Sequence, residues 1–159
     1  MSPSVDATRG GRHSGRELAL QVLYALDLAN RSGEATAEDD APRAPRESSD
    51  RVFERVTEHF VMPRAAIAFA RSLVTGVAGD LEAIDVILAG HARNWRVSRM
   101  AAVDRNVLRL AIHELRDTET PVAVVIDEAV DLARRFGSDT SPAFVNGILD
   151  AVAKEVRAA

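Results

Sequence analysis

The sequence predicts an all-helical protein, and three observations carry that prediction. Apolar residues make up 47% of the 159 residues but aromatic residues only 4%, so the core must be aliphatic and alanine-rich, a composition that favours helices over sheets. Apolar residues recur at spacings of three and four in every periodic segment. No segment shows strand alternation of useful length. The expected fold class is therefore all-α.

Composition also excludes several classes of protein. There is no cysteine, so disulfide scaffolds and thiolate metal sites are excluded. The N-terminus lacks the apolar run of a signal peptide, and no segment is a candidate membrane span, which together predict a soluble cytoplasmic protein. The net charge of −4 argues against a nucleic-acid binder unless the positive charges are clustered.

The first part of the chain predicts an arm, a helix and an insertion. Residues 1–13 have no apolar periodicity and are expected to form a flexible basic arm. Ser14 and Glu17 fit a capping box, so a helix is expected from Ser14 to about Asn30. Residues 31–49 hold two prolines and an excess of acids, which predicts a disordered insertion before a short helix over 50–61.

The middle of the sequence predicts one long helix followed by an irregular connecting segment. Apolar spacing runs unbroken from Pro63 to Leu88, which predicts a single helix of roughly 25 residues, about 40 Å long. Gly76 and Gly79 lie within it and are expected to mark close approach by another helix. An irregular joint with Trp95 is expected over 91–99.

A further helix is expected to follow the joint. Ser98 is predicted to cap a short turn that leads to Asp104. The apolar residues that follow define one buried flank, and Arg105, Arg109 and Arg116 are expected on the opposite one.

The last stretch, residues 120–150, contains two similar helix starts. Thr120 and Ser141 are each followed by proline, so each hydroxyl is expected to cap a helix with proline at its first position. Gly137 is expected to end the first of these helices in a left-handed conformation. Gly147 lies inside the second, where glycine costs about 1 kcal/mol relative to alanine, which suggests close packing or a contact surface.

No catalytic or metal-binding constellation is present in the sequence. The four histidines are far apart and none follows a glutamate by three residues, as a di-iron bundle requires. They are His13, His59, His91 and His113. With no strand there is no phosphate loop, and without cysteine there is no thiol nucleophile. We expect no enzymatic activity, no metal and no cofactor.

The N-terminal basic residues are the remaining functional signal. Arg12, His13 and Arg16 supply positive charge, and Tyr24 further along the same helix supplies a stacking ring. Recognition of single-stranded RNA uses this combination.

Three blocks of residues resemble the NusB family of transcription antitermination factors. The first lies in the opening helix, the second in the central segment and the third near the C-terminus. In order they are Arg16-Glu17 with Ala19, Gln21, Leu23 and Tyr24; Val103-Asp104-Arg105 with Leu108-Arg109 and Glu114-Leu115; and Pro121, Glu128-Ala129, Leu132-Ala133, Phe136-Gly137, Ser141 and Phe144 to Asp150. The N-terminal arginines depart from the family pattern because Gly10, Gly11 and Ser14 separate them.

The resemblance implies a fold of about seven helices in two small packed bundles, over 14–95 and 98–159. It also implies a non-enzymatic function. The chain would bind boxA-type RNA of ribosomal RNA transcripts with the ribosomal protein NusE, and act with other Nus factors on RNA polymerase. The RNA-contacting positions implied are Arg12, His13, Arg16, Tyr24, Thr140, Phe144 and Asn146. The NusE-contacting positions implied are Asp104 and Arg105.

Two alternatives remain open. One is a helical protein-interaction domain without an RNA role, self-associating for example as a homodimer. The other is a free-standing relative of the RNA-binding domain that precedes ribosomal RNA cytosine methyltransferases; methyl transfer itself is not expected, because no cofactor-binding sheet is predicted.

Overall fold

A computed structural model describes residues 3–31, 47–92 and 96–157, with the side chains of the first helix described from residue 11 to residue 30. Seven α-helices and a short 3₁₀ helix make up these ranges, with no strand among them. The helices are α1 Pro3–Arg31, α2 Ser49–Thr57, α3 Arg64–Gly79, α4 Leu81–His91, α5 Ala102–Asp117, α6 Val122–Phe136 and α7 Ser141–Val156. The 3₁₀ helix is Val97–Arg99. The all-α prediction is confirmed.

Helix α5 lies at the centre of the molecule. It packs against α1, α3, α4, α6 and α7, and one hydrophobic cluster extends from Leu18 on α1 to Ala153 on α7. Both flanks of α5 are therefore covered by other helices. A helix enclosed in this way must bury polar as well as apolar side chains, and each buried charge needs a partner.

The flank of α5 expected to be polar is mostly buried. Arg105 is only 1% exposed, and it donates to Asp27 on α1 at 2.9 and 2.6 Å. Arg109 is also buried and donates to both carboxylate oxygens of Asp85 on α4 at 2.8 Å. Arg116 is exposed. Two of the three arginines on this flank are thus buried, because α1 and α4 cover them with carboxylates.

The first helix begins at Pro3, well before the predicted start. Ser14 lies within α1 and does not cap it, so the predicted helix start at Ser14 and its capping box are wrong. Proline suits the first turn of a helix because its missing N–H has no intrahelical partner there. Tertiary contacts stabilise the part of the helix that precedes Ser14, since His13 is hydrogen-bonded to Glu128 on α6.

Only the ends of the predicted insertion over 31–49 can be compared with the structure. Arg31 is the last residue of α1, and Ser48 caps α2 by accepting a hydrogen bond from the Arg51 N–H at 3.3 Å. Residues 32–46 and Trp95 lie outside the described residues. Helix α2 ends at Thr57, earlier than the predicted residue 61; the Thr57 hydroxyl donates to the Phe53 carbonyl at 2.7 Å.

The predicted long helix is two helices. It breaks at Asp80, whose backbone (φ −122°, ψ 28°) is not helical. A Cβ at Gly79 would meet nothing within 4 Å, so this glycine ends α3 and marks no close approach. A Cβ at Gly76 would lie 2.1 Å from Cε1 of His113 on α5, so there the expectation of close approach is correct.

The caps of the later helices differ from the prediction by about one residue. Ser98 lies inside the 3₁₀ helix, which follows Arg96. Pro121 occupies the cap position of α6 with no side-chain cap bond, and Thr140 precedes α7. Gly137 does end α6, but its φ of −94° is not left-handed.

Close packing explains the glycine at position 137. A Cβ there would lie 2.5 Å from Ser141 Oγ and 2.7 Å from the Ala133 carbonyl oxygen. The Ser141 hydroxyl accepts a hydrogen bond from the Ser138 N–H at 2.9 Å, which fixes the loop between α6 and α7.

Candidate nucleic-acid and partner interface

His13 joins the N-terminal half of α1 to the C-terminal half of α6. Its Nδ1 lies 2.8 Å from Glu128 Oε2, and its Nε2 lies 3.1 Å from Nη1 of Arg135 and 3.6 Å from Asp131. Arg135 also donates to Glu17 at 3.0 Å. These contacts join the stretch of α1 from His13 to Glu17 and the stretch of α6 from Glu128 to Arg135 into one surface, which we call the α1–α6 seam.

Two of the predicted arginines have opposite environments. Arg12 is exposed, with its Cζ 5.2 Å from the centroid of the Phe69 ring on α3. Arg16 is only 3% exposed, and it donates to both oxygens of Glu114 on α5, at 2.9 and 2.8 Å. The expectation that Arg16 contacts RNA does not fit this burial. Arg16 instead fastens α1 to the central helix.

Tyr24 presents a ring at the surface. It is 38% exposed, and its spacing from His13, Glu17 and Gln21 places it on the face of α1 that continues the seam. An exposed aromatic ring offers a flat surface on which an unpaired base can stack.

The predicted residues of the α6–α7 loop and α7 are only partly exposed. Thr140 is exposed, and its hydroxyl lies 3.2 Å from that of Ser138. Phe144 is half-buried against the core, whereas Asn146 is exposed. Thr140 and Asn146 thus have polar groups available to a ligand, and Phe144 also supports the fold.

The structure adds three candidate residues that the sequence reasoning did not select. Arg134, Arg135 and Phe136 end α6 beside the loop, and all three are exposed. Cζ of Arg135 lies 5.1 Å from the centroid of the Phe136 ring. The signal in the sequence is two arginines and a phenylalanine directly before Gly137, since adjacent cations and rings suit RNA recognition.

A groove of about 580 Å³ lies between α6 and α7. It is lined by Asp127, Val130, Asp131, Arg134, Pro142, Ala143 and Asn146. Near it on α7, Gly147 is exposed, and a Cβ there would meet nothing within 4 Å. Close packing within the chain therefore does not explain Gly147, and a contact surface is the remaining one of the two explanations offered by the sequence.

The two predicted partner-contacting residues lie at the start of α5. Asp104 is mostly buried, and its Oδ1 has no hydrogen-bond partner among the described residues. That oxygen is itself inaccessible, so its missing donor does not indicate a contact with a partner, and the partner role of Asp104 stays a prediction. Arg105 is turned inward to Asp27, so the expectation that its side chain contacts a partner does not fit.

The described residues form neither a metal site nor a membrane span. Within residues 3–31, 47–92 and 96–157, no three or more His, Asp or Glu side chains are placed to hold a metal ion. No helix of the described ranges is both long and apolar enough to cross a membrane.

Comparisons with known proteins agree with this picture. The model of the NusB family matches residues 13–154. The transcription antitermination protein NusB of Myxococcus xanthus is 44% identical over 145 residues, which cover 91% of this chain and 95% of the relative.

Two solved structures have the same fold. The NusB structure of T. maritima superimposes with a TM-score of 0.75 at 31% identity, covering 91% of each chain. A crystal structure of the antitermination factors NusB and NusE in complex with dsRNA superimposes with a TM-score of 0.74 at 29% identity, covering 91% of this chain and 97% of that one. This chain therefore belongs to the NusB family of transcription antitermination proteins.

Proposed function

We propose that this chain binds boxA-type RNA together with NusE, and that the resulting complex acts with other Nus factors to help RNA polymerase resist termination on ribosomal operons. The observation that carries the proposal is the α1–α6 seam. It combines the exposed cation Arg135 with the exposed rings of Tyr24 and Phe136, and the exposed Arg12 lies beside it, next to His13 on α1. A related NusB occurs in a solved complex with NusE and RNA.

The chemistry of the seam favours RNA in a partly single-stranded form. Guanidinium groups match phosphate geometry, and exposed rings stack on bases that are not already stacked in a duplex. The solved complex of the relative contains dsRNA, so binding to a single strand and to a duplex of the same sequence should be compared directly. We expect the single strand to bind more tightly.

The acidic net charge does not oppose this function. One carboxylate of the seam, Glu17, is paired with Arg135, which partly neutralises it towards a phosphate. Few phosphates need neutralising if a basic partner supplies part of the RNA surface. Contact with NusE is assigned to the start of α5 at Asp104. We infer that the chain acts by binding, without catalysing a reaction.

The seam can be tested by charge removal. Arg12→Ala and Arg135→Ala should each weaken binding of boxA RNA in the presence of NusE and reduce its salt dependence by about one phosphate contact. Arg51→Ala removes an exposed arginine of α2 and is the matched control. Equal losses in all three variants would show that only general charge matters. Unchanged affinity in both Arg12→Ala and Arg135→Ala would contradict the proposed site.

A further inference from the structure

Phe69 on α3 lies against two guanidinium groups of α1. Cζ of Arg12 is 5.2 Å from the ring centroid and Cζ of Arg16 is 5.3 Å from it. Both distances lie within the range at which a cation is attracted to an aromatic ring. One ring therefore serves two arginines that are one helical turn apart.

The two arginines depend on the ring to different degrees. Arg16 is buried and already held by Glu114, so its position does not require Phe69. Arg12 is exposed and makes no hydrogen bond or ion pair among the described residues; its recorded contact is the ring. Only Arg12 would lose its fixed position if the ring were removed.

Gly15 permits this arrangement. A Cβ at position 15 would lie 2.8 Å from Cδ1 of Phe69 and 3.0 Å from the Ala66 carbonyl oxygen. Any other residue at 15 would push α1 and the ring apart. The glycine thus brings the ring against the stretch of α1 between the two arginines.

We propose that Phe69 is a positioning residue for RNA binding, which holds the Arg12 guanidinium in place to receive a phosphate. The proposal rests on the proposed function. The contact with the ring does not engage Arg12 in a hydrogen bond or ion pair, so its N–H groups can still donate to a phosphate. Because a long exposed side chain loses rotamer freedom on binding, an arginine fixed in advance binds more tightly than a mobile one.

A double-mutant cycle tests the proposal. Phe69→Leu keeps apolar bulk but removes the ring face, and it should weaken boxA RNA binding in the presence of NusE by about two- to fivefold, the range expected for an exposed cation–π contact. In an Arg12→Ala background the same substitution should have no further effect. Equal losses in both backgrounds would overturn the proposal, because they would indicate a purely structural role.

Two further variants keep the test valid if Phe69→Leu perturbs folding, as judged by circular dichroism. Phe69→Tyr retains the ring face and should retain affinity. Arg12→Lys retains a cation that the ring also attracts, so it should lose less affinity than Arg12→Ala. Full affinity in Arg12→Ala would overturn the proposal. Absence of RNA binding by the unsubstituted protein with NusE would instead refute the proposed function.

Discussion

Arg16 and Glu114 form a buried, two-pronged ion pair between α1 and α5. The guanidinium donates to the carboxylate at 2.9 Å from Nε and at 2.8 Å from Nη2, and the two side chains are 3% and 2% exposed. The pair fixes the seam-bearing half of α1 on the central helix. An arginine at a position that the family resemblance assigned to RNA is thus part of the scaffold.

Breaking this pair should destabilise the fold. Glu114→Ala leaves Arg16 buried without its counter-charge, which should lower the free energy of unfolding by about 3–5 kcal/mol. Urea denaturation measures the change. The matched control is Arg55→Ala, which removes an exposed pair with Glu47 and should cost much less, because solvent screens that pair. A loss as small as the control's would show that the Arg16–Glu114 pair does not hold α1 on α5.

The substitution Gly147→Ala should stabilise the fold and weaken the binding of RNA or NusE. A Cβ there meets nothing within 4 Å, so the gain in helix propensity, about 0.5–1 kcal/mol, should appear in full. If a ligand approaches the backbone of α7 at this point, the same substitution should weaken binding of RNA or NusE. Gly90→Ala is the control, since it is equally open but lies on α4. Unchanged binding of both ligands would refute a contact surface at Gly147.

The substitution Gly76→Ala, unlike Gly147→Ala, should destabilise the fold. The new methyl group would lie 2.1 Å from Cε1 of His113, a buried side chain whose Nδ1 is 3.2 Å from Asp117. Such overpacking costs about 1–3 kcal/mol, more than the gain in helix propensity. Thermal unfolding should show a lower Tm. In a His113→Ala background the substitution should become neutral or stabilising, and a persistent loss there would place the clash elsewhere.

Acid should destabilise the protein partly through Asp27. Burial alone would raise the pKa of Asp27, but hydrogen bonds from Arg105 and Asn106, with the charges of Arg105 and Arg109, outweigh it and hold the pKa below its ordinary value of 3.8. A carboxyl group with a lowered folded-state pKa stabilises the fold above its unfolded-state pKa. This contribution is lost as pH falls from about 4 through the folded-state pKa.

The Asp27 contribution can be isolated with Asp27→Asn. The variant should be less stable than the unsubstituted protein at pH 7, and the difference should shrink as pH falls below about 4. Denaturant titrations over pH 2–7 measure both curves. A difference that stays constant down to the lowest pH would show that the charge of Asp27 contributes nothing to stability.

Periodicity predicted the helices well but not where one of them breaks. The apolar phase continues from Val77 to Ile84 across Asp80, so spacing alone does not reveal that α3 ends at Gly79. The difference between Gly76 and Gly79 depends on His113, which lies far away in sequence and near only in the fold.

The candidate site could likewise be predicted only in part from the sequence. Of the predicted RNA-contacting residues, Arg12, Tyr24 and Thr140 are exposed, and their contact with RNA stays a prediction. The sequence placed Arg16 and Arg105 on a surface because helical spacing tells which residues share a face, but not whether another helix covers that face. Glu114 and Asp27 supply that cover from distant parts of the chain.

The most direct test of the account is the affinity for boxA RNA measured with and without NusE. Fluorescence anisotropy of a labelled single-stranded boxA RNA, with a scrambled sequence as control, gives both values at one salt concentration. We predict that NusE increases the affinity for boxA RNA, that the scrambled RNA binds more weakly, and that rising salt weakens binding. An affinity that NusE leaves unchanged, or that is equal for the scrambled RNA, would contradict the account.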